Sequence, residues 1–365
     1  MTLRLRAGAL ALATLTPVLA ACGSGGGGGA DDEFTMVIAA AVLGPKEEVA
    51  VYAVAQEMGY FEEEGITVDT ANADGSVAAV QAVGTGQADI TAADTGSILS
   101  AVDKNVGVVT VGGLVQNWPW QFATLPGSDI QSPEDLDGKK VGVISLASGS
   151  APYARAFIRD AGLEPEQDVQ LLPVGVGAQA ASALSSGDVD ALALYGQAYS
   201  VIESSGTELA YLENPDIFQG IRSLSFAVTQ DAVEENQENV EGFLRASYKA
   251  MLFSAQNPEA AMRIGYKVFP SLLGGASVED RLPSDLASLE AWLASATPTS
   301  GDPSSWSDWG AIPDEDWDKT QEYTVGAEQI TEPLPIDDVW TSDLLEAAND
   351  FDAAEVIEQA DSWSE

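Results

Sequence analysis

Residues 35–69 read TMVIAAAVLGPKEEVAVYAVAQEMGYFEEEGITVD. Residues 35–41 are a short apolar run, the pattern of a strand buried on both faces. Residues 46–61 follow at helical spacing, with Val51, Val54, Ala55 and Met58 on one face. Gly59-Tyr60-Phe61 leads through three glutamates to Gly65, and residues 66–69 alternate as a second strand. A strand, a helix and a strand in so short a stretch predict a crossover unit and parallel pairing.

The alternation continues outward. Residues 76–83 read as a helix with Val77, Val80 and Val83, stopped by Gly84 and Gly86. Residues 88–92 read as a strand, 96–104 as a helix and 106–111 as a strand. A second set begins at Ser132-Pro133-Glu134-Asp135, where Ser suits an N-cap and Pro the first helical position. Strands at 140–144, 169–172, 189–194 and 209–212 alternate with helices at 152–161, 178–184 and 198–204. Residues 224–228 read as a return strand. Helices follow at 237–255, from Asn257-Pro258 onward, at 316–324 and at 342–349, the last two closing the chain. Residues 297–310 read as a loop in which Trp306 and Trp309 are packed. The fold class predicted is α/β, with mostly parallel sheets.

The start of the chain has its own grammar. Arg4 and Arg6 precede an apolar run over 7–20, then Leu19-Ala20-Ala21-Cys22 and a glycine tract from Gly23 to Gly29. A charged n-region, a short apolar run and small residues make a secretory signal. The run is too short to span a bilayer. Leu19–Cys22 also resembles a bacterial lipobox, in which the thiol takes a diacylglyceryl group; the alternative is an ordinary signal with an incidental Cys22. On the lipobox reading residues 1–21 are a signal peptide and 22–33 a flexible tether. Two acyl chains would anchor the body stably at the extracytoplasmic face of the membrane.

Composition narrows the function. The formal charge is −42, from 57 acidic and 15 basic residues, and there is no histidine and one cysteine. Removing the signal takes two arginines and no acid. So acidic a body excludes phosphate-driven nucleic-acid binding. It reads either as a solubilising surface or as adaptation to a saline habitat. Without His, neither Ser-His-Asp nor Cys-His catalysis nor a His-ligated metal is available. With Cys22 lipidated, no disulfide and no Cys-ligated metal remains. The chain is expected to be a non-enzyme with no metal and no cofactor.

Residues 55–68, AQEMGYFEEEGITV, resemble the amino-terminal signature of nitrate/sulfonate/taurine-type substrate-binding proteins of ABC importers, a family that includes binders of thiamine pyrimidine precursors. Residues 82–89 with Gly84, Gly86 and Ala88-Asp89, residues 135–143 (DLDGKKVGV), 184–191 (LSSGDVDA) and 334–345 (LPIDDVWTSDLL) match further landmarks in the same order. The resemblance implies a type II periplasmic-binding fold, two α/β lobes joined by a two-segment hinge. Lobe one would comprise 34–122 and 227–365 and lobe two 123–226, with crossovers near 120–125 and 223–228. It also implies a small-molecule ligand, permease and ATPase partners, and a monomer.

Loops that follow strands and open helices are the candidate ligand contacts. They are Leu43, Gly75, Ser76, Asp94 and Thr95 in lobe one. In lobe two they are Ser148, Gly149, Ser150 and Tyr153 near a helix start, a ready anion site, with Tyr195 and Gln197. Trp118 and Trp120 lie beside the first crossover and either stack on ligand or pack the hinge. Asp94 either pairs with an N–H of ligand or caps its helix; Arg155 either backs an anion or is solvated. No basic residue falls in these loops, and no close acidic pair stands out there. Sulfonates, nitrate-like anions, taurine and pyrimidines all fit. An enzyme of the same fold is disfavoured, because the yeast-type pyrimidine synthases need a histidine and a cysteine-rich motif absent here. A ligand sensor of the same fold is the other alternative.

Overall fold

Apolar runs too short to span a domain must pair, and here they pair into two five-stranded sheets. The computed structural model describes residues 33–146 and 148–365. The predicted signal, Cys22 and nearly all of the glycine tether lie outside the described residues. In the first sheet the order is β2 (Thr67–Asn72), β1 (Glu33–Ile38), β3 (Ile90–Asp94), β10 (Leu224–Thr229), β4 (Val108–Val115). In the second it is β7 (Gln170–Pro173), β6 (Lys140–Val143), β8 (Ala191–Tyr195), β5 (Trp120–Thr124), β9 (Ala210–Tyr211). β1 runs parallel to β2 and β3, and β6 parallel to β7 and β8. β10 and β5, each the first strand after the chain changes sheet, are antiparallel to their neighbours.

The side-chain period of two explains the apolar runs. Phe34 and Met36 face a core with Phe226, Phe243 and Tyr248, while Val37 faces Val80, Val83 and Ile98 on the other side. Both faces are covered, as the continuous runs require. In the second sheet, Phe122 and Phe157 stack at 4.2 Å within a cluster holding Tyr153 and Phe218.

The helices that position the site are α1 (Ser76–Gly84), α2 (Thr95–Asp103), α3 (Ser150–Asp160), α4 (Gly196–Ser204), α5 (Gln237–Gln256), α6 (Val278–Ala296) and α7 (Asp314–Gly326). The stretch predicted as one helix over 46–61 is a π-helical turn at Glu48–Ala53, an α-helical turn at Val54–Met58, and a break at Gly59. Gly59 has φ 77°, a left-handed stop that glycine adopts without strain. Among the described residues, two helices of ten or more residues escape the sequence pattern, α6 and the closing helix Ala353–Ser362. Residues 342–349 contain only a single turn, Leu345–Ala348. The segment 297–310 is the expected loop, with Trp309 buried and Trp306 set edge-on to it at 5.9 Å.

The chain leaves the first sheet after Val115 and joins the second at Trp120, returning between Tyr211 and Leu224. Both passages are tied to the carboxy-terminal third. The N–H groups of Gln116 and Asn117 both donate to Ser295 O, at 3.0 and 2.9 Å, satisfying one carbonyl at the end of α6. Arg222 donates to Asp316 at 2.5 Å and to Gln116 O at 3.4 Å, and its N–H donates to Thr320 Oγ1 at 3.0 Å. Tyr323 of α7 packs on the second core, while Trp317 of the same helix packs with Leu99 and Val339. Thus α7 touches the core of the second sheet and a separate small cluster that includes Leu99 of α2. Among the described residues no helix is long and apolar enough to cross a membrane.

Candidate functional site

The carboxyl ends of the parallel strands of both sheets meet at one cavity of about 750 Å³. Ala39 and Ala40 follow β1, Gly75 and Ser76 follow β2, and Asp94 ends β3. From the other side Ile144, Ser145, Ser148 and Gly149 follow β6, and Tyr195 ends β8. Pro119, Trp120, Ser223 and Leu224 form the floor at the two passages, and Trp292, Ser295 and Gln329 close one side. This is where open α/β sheets bind ligands.

Of the residues expected at the site, Gly75, Ser76, Asp94, Trp120, Ser148, Gly149, Tyr195 and Gln197 line the cavity. Leu43, Thr95, Trp118, Ser150 and Tyr153 do not. Leu43 packs against the first core. Thr95 is buried, its hydroxyl 2.9 Å from Ser225 Oγ. Trp118 lies in the second core, stacked on Phe218 at 5.3 Å and edge-on to Tyr323 at 5.2 Å. Tyr153 is buried there too and donates to Asn214 Oδ1 at 2.6 Å. Ser150 is fully buried; its hydroxyl accepts from Ile144 N–H at 2.9 Å and sits 2.7 Å from Ser148 Oγ. Ser148 Oγ donates to Ser145 O at 2.9 Å. Both hydroxyls are therefore engaged in shaping their own loop. A Cβ at Gly149 would lie 3.0 Å from Cζ2 of Trp120, so a larger residue there would press on the indole. The indole is half-buried and meets Tyr195 edge-on at 5.5 Å.

Asp94 both caps its helix and faces the cavity. One carboxylate oxygen accepts from Ser97 N–H at 2.9 Å and from Ser97 Oγ at 3.1 Å. Burial raises its pKa, and those two hydrogen bonds oppose the rise. The Asp94 N–H donates to Ser76 Oγ at 3.0 Å, locking two loops of the first sheet together.

Contrary to the sequence expectation, the cleft holds basic residues, with an acidic residue beside one of them. Lys46 and Arg155 line it, and Glu47 does so beside Lys46. Lys46 is ion-paired with Glu47 and, at 3.1 Å, with Glu48. Glu48 is fully buried and accepts from Gly44 N–H at 3.0 Å. Burial opposes the charge on Lys46, but Glu47 and Glu48 outweigh it and hold the ammonium above its ordinary pKa. Burial pushes Glu48 up to about 7, with Lys46 opposing. Burial also raises the Tyr195 phenol, and Lys46 pulls it down, so the first-sheet cation is felt by the second-sheet phenol. Arg155 is held by Glu166 at 2.7 Å. Exposed Val42, Val77 and Leu146 stand on the rims. Among the described residues no group of three acidic side chains stands close enough to hold a metal ion.

Comparison with known proteins places this geometry. The profile of the NMT1/THI5-like family matches residues 46–261. The formylaminopyrimidine-binding protein of Halalkalibacterium halodurans is 27% identical over 58% of this chain and 64% of its own length, so the chain spans under two thirds of that relative. The riboflavin-binding protein RibY of Chloroflexus aurantiacus is 26% identical over 82% of this chain and 83% of its own. A 4-amino-5-hydroxymethyl-2-methylpyrimidine phosphate synthase of Legionella pneumophila is 25% identical over 60% and 69%. The periplasmic aliphatic sulphonate binding protein SsuA of Escherichia coli has the same fold, with TM-score 0.65 and 17% identity over 86% of this chain and 93% of that structure.

Proposed function

Because the chain belongs to the NMT1/THI5-like family and has the periplasmic-binding fold, we propose that it is the solute-binding lipoprotein of an ABC importer. It captures a small organic anion or heterocycle between two lobes and delivers it to a permease driven by an ATPase. The observation that carries this reading is the cavity where the strand ends of both sheets converge. The proposed lobes are 34–122 with 227–365, and 123–226, although those bounds run through β5 and β10, which belong wholly to the second and the first sheet. The protein works as a monomer at the extracytoplasmic face of the membrane, held by lipid on Cys22, and is not an enzyme. The absence of histidine and of a cysteine-rich motif supports the last point against the synthase named among its relatives.

Ligand drives closure only by binding the closed form better than the open one. Closure would bring the apolar rims at Val42, Val77 and Leu146 out of water, a hinge motion of the kind such proteins use. The test is a panel of sulfonates, taurine, nitrate, pyrimidines and flavins, read by Trp fluorescence and solution scattering. A binding solute should compact the protein and change the emission of Trp120, which lines the cavity. Trp120→Phe should reduce that change, with Trp292, which also lines the cavity, reporting the remainder, whereas Trp118→Phe should leave it. Saturable binding without compaction would refute the hinge. Cys22→Ser should release the protein from the membrane with binding intact; retention in the membrane would refute the anchor.

A further inference from the structure

We infer that Lys46, Glu47 and Glu48 form an anion filter in the first-sheet wall of the cleft, admitting uncharged or cationic solutes that offer N–H donors and rejecting sulfonates, nitrate and carboxylates. The inference rests on the solute-binding reading above and decides between the ligand classes it leaves open. Lys46 and Arg155 are the cations among the described residues of the wall. Each is already paired, Lys46 with two carboxylates and Arg155 with Glu166. Two carboxylates on one ammonium leave that group net negative, and even with Glu48 protonated Glu47 neutralises the lysine. Asp74 and Asp94 add carboxylate to the same wall. An entering anion would meet like charge in a poorly solvated space, where repulsion is strongest. The Ser148 and Ser150 hydroxyls at the start of α3 are engaged in their own loop and offer an anion no free donor.

What the wall does present is neutral hydrogen bonding and an aromatic face. Gln197 is more than nine-tenths buried, lines the cavity, and makes no side-chain hydrogen bond among the described residues. Its amide offers one acceptor and two donors. Glu47 is as deeply buried and has Lys46 as its side-chain partner, leaving acceptor capacity toward the cavity. A buried polar group left unpaired is costly, so a solute that supplies its partner gains specificity.

The experiment compares the wild-type chain with Glu47→Gln/Glu48→Gln, using thermal shift and calorimetric titration with methanesulfonate, taurine and nitrate at matched ionic strength. An aminopyrimidine is run in parallel. The wild type should show no saturable anion binding. In the double variant Lys46 loses both partners, so methanesulfonate should gain about tenfold or more in affinity and stabilise the variant. If the double variant does not fold, Glu47→Gln alone should show a smaller gain in the same direction. Saturable sulfonate or nitrate binding by the wild type, abolished by Lys46→Met, would overturn the filter. So would a folded variant with no gain. If no solute of any class binds or compacts the wild type, the solute-binding reading fails, while the anion comparison between wild type and variant still decides the filter.

Discussion

Replacing Asp316 by Ala leaves the Arg222 guanidinium buried without its anion. Arg222 is 9% exposed and Asp316 8%, and they meet at 2.5 Å. The guanidinium has one further long contact, to Gln116 O at 3.4 Å, and its Nε has no partner. Removing one member of a buried pair costs about 3–5 kcal/mol, whereas replacing both by apolar residues of similar volume is often neutral or stabilising. Asp316→Ala should therefore lose about 3–5 kcal/mol, and Arg222→Met with Asp316→Leu roughly 1 kcal/mol or less. The backbone bond from Arg222 N–H to Thr320 Oγ1 persists in both. Urea unfolding followed by circular dichroism and by Trp fluorescence measures this, provided the two transitions coincide. A single variant within about 1 kcal/mol of wild type, or a double variant as unstable as the single, would refute the reasoning.

Gly149→Ala places a Cβ against Cζ2 of Trp120, so the indole must shift; its emission should change in the unliganded protein, and solutes that stack on it should bind about fivefold or more weakly, since such stacking is worth about 1–3 kcal/mol. An unchanged spectrum with unchanged affinity would contradict this. Trp118→Ala should cost about 3–5 kcal/mol through the cavity it leaves among Phe218, Tyr153 and Tyr323, measured by urea unfolding. The pH dependence follows from Glu48, whose folded pKa of about 7 lies above its ordinary 4.5. The folded state then holds the proton more tightly, so stability present below pH 4.5 is lost as pH rises to 7. The loss is on the order of 3 kcal/mol. Glu48→Gln should flatten that part of the melting-temperature profile; an unchanged slope would assign it elsewhere.

Most strands were legible because strands buried on both faces announce themselves as unbroken apolar runs, as residues 35–38 do, although the run overshoots the strand by three residues; β5 was not, because residues 120–124 read as the passage between sheets. The helix α6 was not, because Pro283 interrupts it and several of its buried positions are Asp285, Ser288 and Ser295. Hydropathy reads those as surface. Lys46–Glu48 was misread for a related reason. Acids in the first turn of a helix are ordinary complements to its dipole, and nothing in the sequence says that this helix start is buried against a cleft. The Trp pair shows a further limit. Trp118 and Trp120 differ by two residues and both pack against the second core, yet only Trp120 reaches the cavity. Ser148 and Ser150 carry the residue type of a ligand contact, but loop closure uses the same hydroxyls.

The position of β10 dictates an order of assembly. It sits between β3 and β4, so the first sheet has no continuous hydrogen-bonded middle until residues 224–229 have emerged. β5 is also an interior strand of its sheet, but every strand it needs is complete by residue 211. A chain emerging amino-terminus first can thus finish the sheet built from its middle before the one built from its start. The early strands must wait, with unpaired edges, through more than a hundred residues of synthesis, the kind of non-local closure that slows folding and exposes aggregation-prone surface. A circular permutant that begins at β10 would remove that wait, so its refolding rate, set against that of the natural order, measures how much of the folding time the interruption imposes.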